Sequence, residues 1–575
     1  MGCRLQKQLI DIICINNFNT KDLDYDVCYY LGDNPHLLPE NNIEIVVFPD
    51  GNNPQTQEIK DFVIDIDAAF LANTCSGNRY LTSVCDDILR GFSLLRKIQS
   101  SASKTAIVVD TPIDVMKFSK FLAANNFTIK SPTSLLFKFK QALRQSTALI
   151  RTIKSVVLEY VRFLKYPLPE FQTSKFTFIT WINDPTINKE KLSRTNNYFG
   201  CIPEYLSQKN SVAFLGKIIS GHPQSSKIAS NALQQNLPVT FLQQYIKISD
   251  IFYALTHNFK LFYQIVSKNF VYKDVDYTPL VKESLKQDFF SGSFIDSLLQ
   301  YRLFQRFFKG CSGESTIIYP FENQPWEKGL LLAANKVHKP IKLIAYQFFP
   351  FAPDFLIYKF SRTARKNGLV PPLFLTSDVI SDKRLSEQGI ETLRIGTSRY
   401  NALFDLSVSL SDKNSAVLCC LSIDPKEAKI LALKASVITE ELCLPLWINY
   451  HPLLAAETAK DLKKQLSRYK HIQFFDCAAS SLIPDARIVL YNSSTVCFEA
   501  ALRGVPIIYV DCENLPNLDK FQSLGKNFKE IDDGVDLIKQ LIDNDQNYQL
   551  YSQKTYQIAR EILLPINLAQ LEKIN

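Results

Sequence analysis

The sequence lacks several features that would place it in a familiar class of protein. No apolar run approaches the roughly 18–20 uncharged residues that a membrane-spanning helix needs, and Asp11 interrupts the apolar stretch near the start, so no signal peptide is predicted. The 13 cysteines include no C-x-x-C pair, which argues against a zinc site or a disulfide framework and is typical of a reducing compartment. We therefore expect a cytoplasmic protein.

Common fingerprints of catalysis and nucleotide binding are also missing. The sequence has no G-x-G-x-x-G dinucleotide motif and no G-x-S-x-G nucleophile elbow. The segment GKIISGHPQSSK at 216–227 has two glycines at P-loop spacing, but His222 stands where such a loop requires lysine. Because the other histidines are dispersed along the chain, we expect neither a bound metal nor a cofactor.

The net charge of +8 is unevenly distributed. Between residues 130 and 165 there are eight lysines and arginines but only one acid, Glu159, and apolar residues are interleaved with them. A basic amphipathic helix of this kind can lie on an anionic inner-membrane face, while the simpler interpretation is a linker helix packed on its own domain. No recognition motif accompanies the charge, so nucleic acid is not expected as a partner.

The length of 575 residues is too great for one hydrophobic core and predicts two or three domains. Apolar strand-like segments alternate with helical ones, which is typical of α/β domains with mostly parallel sheets. We predict two doubly wound Rossmann-like domains, 172–408 with a helical insertion and 409–575, preceded by an additional N-terminal α/β domain, 1–165, whose role stays open. Strands are predicted at 9–15, 25–31, 43–49, 105–110, 175–181, 211–216, 237–242, 315–321, 340–347, 371–377, 390–396, 416–423, 444–450, 472–476, 487–491 and 506–510.

One stretch, YNSSTVCFEAALRGVPIIYVD from Tyr491 to Asp511, combines a strand end, a polar corner and a short helix. The corner consists of Asn492, Ser493, Ser494 and Thr495. Unpaired N–H groups and the positive end of the helix dipole collect at such a corner, which suits a phosphate group. Glu499, about one turn further on, could accept hydrogen bonds from a ribose. The alternative is that Ser or Thr merely caps the helix.

Two further residues follow predicted strands at the carboxyl edge, where open α/β sheets bind their ligands. His451, in INYHPLL, could donate to a phosphate oxygen of a leaving nucleotide, although a single histidine also often has a structural role. Glu322, in YPFENQPWEKGLL, stands close to Trp326 and is a candidate general base, because partial burial would raise its pKa towards neutrality. Glu327 is explained more simply as a first-turn carboxylate that the helix dipole favours.

These segments resemble a known family. The strand, the S-S-T corner and EAALRGVPII (499–508) are similar to the nucleotide-binding half of GT-B glycosyltransferases. With the earlier His-Pro, they resemble bacterial enzymes that transfer keto sugars from CMP donors, such as Kdo-transferases and sialyltransferases. NNYFGCIPEYL (196–206), YPFENQPWEK (319–328) and IGTSRY (395–400) together resemble surface carbohydrate biosynthesis proteins of the O-antigen or capsule type. The resemblance covers roughly 175–560.

The resemblance implies a metal-independent glycosyltransferase with a nucleotide-sugar donor and a glycan or lipid-linked acceptor. By position, His451 would contact the donor phosphate, Ser493, Ser494 and Thr495 would hold it, and Glu499 would approach the ribose. The helix at 130–165 would bring the enzyme to its acceptor at the membrane. Two alternatives stay open: a CDP-polyol phosphotransferase of surface polymer synthesis, and an inactive homologue that only binds a nucleotide or glycan.

Overall fold

A computed structural model describes most of the chain, and it divides into two compact units. The first consists of Met1–Ala345 with Leu356–Leu373, and the second of Tyr346–Phe355 with Phe374–Asn575. The three domain boundaries predicted above stay predictions. The described residues are 9–14, 27–30, 43–45, 84–100, 105–109, 112–130, 135–164, 166, 174–182, 188, 198–218, 225–235, 237–311, 314–352, 355–406, 416–512 and 517–574.

The N-terminal part contains a parallel sheet of five strands in the order β3-β2-β4-β1-β5. Its strands are β1 Leu9–Cys14, β2 Val27–Tyr30, β3 Ile43–Ile45, β4 Thr105–Val109 and β5 Thr128–Lys130. Three helices accompany it: α1 Val84–Ser100, α2 Pro112–Ala124 and the 29-residue α3 Leu135–Phe163. The N-terminal part therefore has an α/β fold, and α3 coincides with the basic stretch, while its separation as a domain of its own stays a prediction.

A second sheet has seven strands in the order β14-β13-β12-β11-β6-β7-β8. They are β6 Phe176–Trp181, β7 Val212–Lys217, β8 Val239–Phe241, β11 Ser315–Pro320, β12 Ile341–Gln347, β13 Leu373–Thr376 and β14 Glu391–Arg394. All six residues of β11 are buried, as expected for a parallel strand covered on both faces. The helices before β11 are α4 Ile202–Ser207, α5 Ser225–Gln234, α6 Ile248–Val266, α7 Thr278–Ser291 and α8 Ser293–Gly310.

The predicted helical insertion is formed by α6, α7 and α8, with a small antiparallel hairpin between α6 and α7. The hairpin strands are β9 Val271–Tyr272 and β10 Val275–Asp276. The remaining helices that accompany the seven-stranded sheet are α9 Pro325–Val337, α10 Arg362–Lys366 and α11 Val379–Ser386. Within the described ranges, no helix is both long enough and apolar enough to cross a bilayer.

The third sheet has six parallel strands in the order β17-β16-β15-β18-β19-β20. The chain moves outward from β15 through β16 and β17 and then returns to the other side of β15 with β18. The sheet therefore has a topological switch point between β15 and β18, the place where doubly wound sheets bind ligands. Its strands are β15 Val417–Cys420, β16 Leu446–Asn449, β17 Ile472–Phe475, β18 Ile488–Tyr491, β19 Ile507–Val510 and β20 Asn527–Phe528.

The first helix of this part begins at a capping residue. The Asp424 carboxylate accepts N–H bonds from the first turn of the helix that begins at Pro425, at 2.8 and 3.2 Å. The seven-stranded and six-stranded sheets are the two predicted doubly wound sheets, and the predicted α/β fold class is confirmed. The helices are α12 Pro425–Glu441, α13 Ala456–Gln465, α14 Val496–Leu502, α15 Ile531–Ile542 and α16 Asp545–Ile562.

After α16 the chain returns to the loops that follow β13 and β14. The Thr397 N–H donates to the Leu564 carbonyl at 2.9 Å, and the Asn567 N–H donates to the Ile395 carbonyl at 2.7 Å. Gly396, between them, has a φ of +79°, and a Cβ atom there would lie 2.2 Å from the Pro565 carbonyl oxygen. The close approach of these two backbones therefore requires glycine.

Candidate active site

The switch point of the third sheet brings three polar side chains together. The hydroxyl oxygens of Ser422, after β15, and Ser493, after β18, lie 2.7 Å apart. Both hydroxyls also contact the carboxylate of Glu427, which is fully buried in α12, and Ser422 donates to it at 2.5 Å. Ser493, predicted to hold a phosphate, thus engages its hydroxyl in a network that joins the two strand ends.

The other residues of the predicted corner occupy different environments. The Asn492 amide is buried and donates to the Val510 carbonyl at 2.9 Å, which ties the end of β18 to that of β19. The Ser494 hydroxyl accepts the Val496 N–H, the first of α14, at 3.3 Å. Thr495 is partly exposed. Asn492 therefore has a structural contact, while Ser494 and Thr495 lie at the start of α14.

Glu499 is paired with a cation that the sequence analysis did not single out. The Nη2 atom of Arg399 lies 3.7 Å from Oε1 of Glu499. Burial raises the pKa of Glu499, and the guanidinium groups of Arg399 and Arg503 oppose this shift. The neighbouring Tyr400 hydroxyl donates to the Thr495 carbonyl at 3.3 Å, so the segment with Arg399 is fastened to the polar corner. In the sequence, Arg399 belongs to the segment IGTSRY, and nothing in that segment indicated its pairing with Glu499.

His451 follows β16 at the same edge of the sheet. Its Nδ1 atom accepts the Leu453 N–H at 3.1 Å, which leaves the proton of the neutral ring on Nε2. Partial burial lowers the pKa of His451, and the positive charge of Arg399 lowers it further. At neutral pH the ring is therefore a neutral donor through Nε2, and it lies within the electrostatic reach of the same arginine that pairs with Glu499.

A second polar cluster lies in the first unit, around a buried lysine. Lys217 is the last residue of β7, and its Nζ atom lies 3.6 Å from the centre of the Trp326 ring and 4.3 Å from that of Trp181. Nζ also donates to Oε1 of Gln300 at 2.9 Å. Burial lowers the pKa of Lys217 well below its usual range, although the carboxylates of Asp296, Glu327 and Glu322 oppose that shift.

A chain of hydrogen bonds continues from this lysine to helix α3. Gln300 Nε2 donates to Asp296 Oδ2 at 2.6 Å, and Asp296 Oδ1 accepts the Tyr160 hydroxyl at 3.1 Å. In the sequence, Lys217 belongs to GKIISGHPQSSK, the segment that lacks a lysine at the position a P-loop requires. An apolar strand that ends in lysine gives no indication that the lysine is buried, because its partners come from distant segments of the chain.

Glu322 lies beside this cluster, where the sequence placed a candidate base. Burial raises its pKa to about 7, while a hydrogen bond from Gln324 and the charge of Lys217 act in the opposite direction. The Gln324 amide donates to Oε2 of Glu322 and accepts the Trp326 indole N–H at 2.8 Å. A carboxyl group with a pKa close to neutrality can accept a proton and release it again at physiological pH.

Glu327 lies in the first turn of its helix, as the simpler interpretation predicted, and it also caps that helix. Its Oε1 accepts the N–H groups of Glu322 at 3.0 Å and Gln324 at 2.9 Å, and so forms a capping box at the start of α9. Burial raises the pKa of Glu327 to about 8. In the described part of the chain its Oε2 has no hydrogen-bond partner. This arrangement suits a carboxyl group that retains its proton.

The His, Cys, Asp and Glu side chains of the described residues are the candidates for metal ligands. Among them, no group of three or more His, Cys, Asp or Glu side chains is arranged to hold a metal ion. Metal independence and the absence of a cofactor stay predictions.

Three solved structures illustrate what the chain resembles. UDP-GlcNAc 2-epimerase from Neisseria meningitidis, bound to UDP-GlcNAc, matches with a TM-score of 0.40 and 11% identity over 67% of this chain and 96% of that chain. MurG from Acinetobacter baumannii has a TM-score of 0.36 and 12% identity, with coverage of 67% and 95%. A glycosyltransferase from Rickettsia africae has a TM-score of 0.40 and 10% identity, with coverage of 70% and 97%. No protein-family model matches the sequence, and no curated protein is significantly similar to it.

Proposed function

We propose that the chain is a glycosyltransferase that moves a sugar from a nucleotide-activated donor to a cell-surface glycan or a lipid-linked acceptor. The observation behind it lies at the carboxyl edge of the third sheet. Arg399 pairs there with Glu499, and its positive charge also lowers the pKa of His451. A guanidinium group, a neutral N–H donor and a carboxylate are complementary to the phosphates and the ribose of a nucleotide. The switch point of a doubly wound sheet is where such a ligand is expected.

In the proposed reaction, the bond between the anomeric carbon and the donor phosphate oxygen breaks, and the nucleotide leaves with the bonding electrons. Negative charge develops on that oxygen, so Arg399 and the Nε2–H of His451 would stabilise the transition state more than the ground state. Glu499 would accept hydrogen bonds from the ribose. Ser494 and Thr495, at the start of α14, would add donors to the phosphate.

The acceptor hydroxyl forms the new bond to the anomeric carbon and must lose its proton. Glu322 is proposed as the base that takes this proton. Its pKa of about 7 supports the role, because a substantial fraction of the group is ionised at neutral pH and still basic enough to accept a proton. We further propose that the donor is a CMP-linked keto sugar and that the product is an O-antigen, a capsule or a lipopolysaccharide.

We also propose that the enzyme lies on the cytoplasmic side and contacts the inner membrane peripherally through 130–165. Within α3, Val156, Tyr160 and Phe163 are buried, which agrees with the linker interpretation for one face. The other face supports the membrane interpretation: Lys140, Arg144, Arg151, Lys154 and Arg162 are exposed, as are Leu143 and Ile150. The helix thus packs on its own unit and presents a basic, partly apolar face outward.

A thermal-shift screen against CMP, CDP, UDP, UMP, dTDP and GDP tests the proposal. A ligand that binds only the folded state raises the melting temperature, and we expect one nucleotide to do so in the wild type but not in R399A or E499A. R468A is the matched control, because Arg468 precedes β17 and so lies at the amino edge of the same sheet.

No shift with any nucleotide, or the same shift in R399A and the wild type, would contradict the nucleotide site. Incubation with the matching activated donor and a glycan acceptor then identifies the chemistry by product mass. A glycoside supports glycosyl transfer, a phosphodiester indicates a CDP-polyol phosphotransferase, and nucleotide binding without any product indicates an inactive homologue.

A further inference from the structure

Helix α6, in the insertion of the first unit, exposes a stripe of large apolar side chains. Ile248, Phe252, Phe259 and Tyr263 are each between 57% and 77% exposed. Their spacings of four, seven and four residues place all four on one face of the helix. Single exposed apolar residues are ordinary on protein surfaces, but a continuous stripe with three aromatic rings marks an interaction surface.

The opposite face of α6 is firmly packed, so the stripe is held on a rigid element. Ala254 and Asn258 are fully buried. Beside the stripe, Phe262 stacks on Phe289 of α7 with ring centroids 4.2 Å apart, and Phe259 of the stripe contacts the same ring at 5.5 Å. Because the inner face is fixed in this way, the helix cannot turn its apolar stripe into the core.

The exposed charges of the segment that contains α6 are all of one sign. From 247 to 268 the chain has three lysines, Lys247, Lys260 and Lys268, and all three are exposed. The only acid in this segment, Asp250, is buried and paired with Arg306 at 2.7 Å and Arg302 at 3.2 Å. The exposed surface of this segment, α6 with the residues that flank it, is therefore apolar, aromatic and positive.

We propose that this surface of α6 lies in the interface of an anionic lipid bilayer, with the aromatic stripe among the acyl chains and the lysines at the headgroups. Aromatic rings favour that depth, and lysines beside an apolar face are attracted to anionic lipid. A second copy of the chain is a poorer occupant, because it would bring like charges together. The surface is separate from the basic face of α3, and its binding to lipid does not depend on the activity proposed above.

Vesicle co-sedimentation of the full-length protein tests the inference. We expect binding to vesicles that contain phosphatidylglycerol, weak binding to phosphatidylcholine alone, and release at high salt. Removing two aromatic side chains in F252S/F259S should lower the partition coefficient at least about tenfold, because both rings would otherwise leave water. K260Q should lower it about fivefold. The matched control is L550S, since Leu550 is an isolated residue of α16 that is 66% exposed.

Three outcomes would overturn the inference. The first is binding by F252S/F259S that equals that of the wild type. The second is loss of binding in R151E/K154E on α3 with no change in F252S/F259S. The third is a concentration-dependent dimer, seen by sedimentation velocity, that dissociates in F252S/F259S; this result would assign the stripe to self-association.

Discussion

The Nζ atom of Lys217 lies between two tryptophan faces, only 3.6 Å from the centre of the Trp326 ring. Ammonium groups are strongly hydrated, and burial favours loss of the charge unless other groups replace the water. Here two indole faces and the Gln300 side chain surround Nζ, and three carboxyl groups act on it from nearby. The proton balance of Lys217 and Glu322 is therefore linked, and this link can be measured.

Replacing Lys217 by methionine should move the pH dependence of turnover. Lys217 lowers the pKa of Glu322, so its removal should raise that pKa above the present value of about 7. As a base, Glu322 must be ionised, and the acidic limb of the pH–rate profile should therefore shift to higher pH. K339M is the control, because Lys339 lies at the amino end of β12. An acidic limb at the same pH in K217M and the wild type would refute the link.

Glu327 should make stability depend on pH in a specific direction. Its pKa is about 8 in the folded protein, above the usual value of 4.5, so the folded state retains a proton that the unfolded chain releases. The contribution of this proton is fully present below about pH 4.5 and is lost as the pH rises through about 8. The variant E327Q keeps the capping oxygen and cannot titrate. The melting temperature of the wild type relative to E327Q should fall between pH 5 and pH 8, whereas parallel curves would exclude the effect.

Replacing His451 by alanine should reduce turnover far more than stability. The proposed Nε2–H donation to the leaving phosphate would be lost, and removal of one such donor lowers kcat by roughly 10²–10³-fold. From the fold, the substitution would remove the hydrogen bond from the Leu453 N–H. H471A serves as the control, because His471 contacts the Thr439 hydroxyl and lies before β17. Folded H451A protein with normal turnover would rule out this role.

Gly396 should be far less replaceable than Gly389. Both have a left-handed φ, +79° and +70°, and alanine costs about 1–2 kcal/mol in such a conformation. At Gly389 a Cβ atom meets no atom within 4 Å, but at Gly396 it would meet the Pro565 carbonyl. We expect G396A to lose about 1–3 kcal/mol more than G389A in urea unfolding. Equal losses would show that the backbone contact with Pro565 does not restrain the fold.

The sequence predicted the sheets better than the site. Apolar strand-like segments predicted β11 and β15, because such a signal is local. Contacts between distant segments left no such signal. The burial of Lys217 depends on Gln300 and Trp326, and the relation of Arg399 to Glu499 depends on a loop and a helix about 100 residues apart.

At the polar corner, the sequence predicted ligand contacts for residues whose side chains make contacts within the fold. Four consecutive polar residues favoured a ligand site, but the Asn492 amide bonds the end of β19, and Ser493 reaches Glu427 in α12. Composition alone could not distinguish hydroxyls and amides that close a loop from those that meet a ligand. His451 and Glu322 could be selected from the sequence because each follows a predicted strand, and open α/β sheets generally bind their ligands at the carboxyl ends of the strands.

The backbone bonds that join Ile395 and Thr397 to Leu564 and Asn567 also set an order of events during synthesis. Residues 395–397 leave the ribosome long before the segment that bonds to them has been translated. Until then the backbone of 395–397 lacks the partners that it has in the folded protein, and unpaired backbone of this kind can pair with other chains. The second unit therefore reaches its complete fold only after the residues up to Asn567 have been translated.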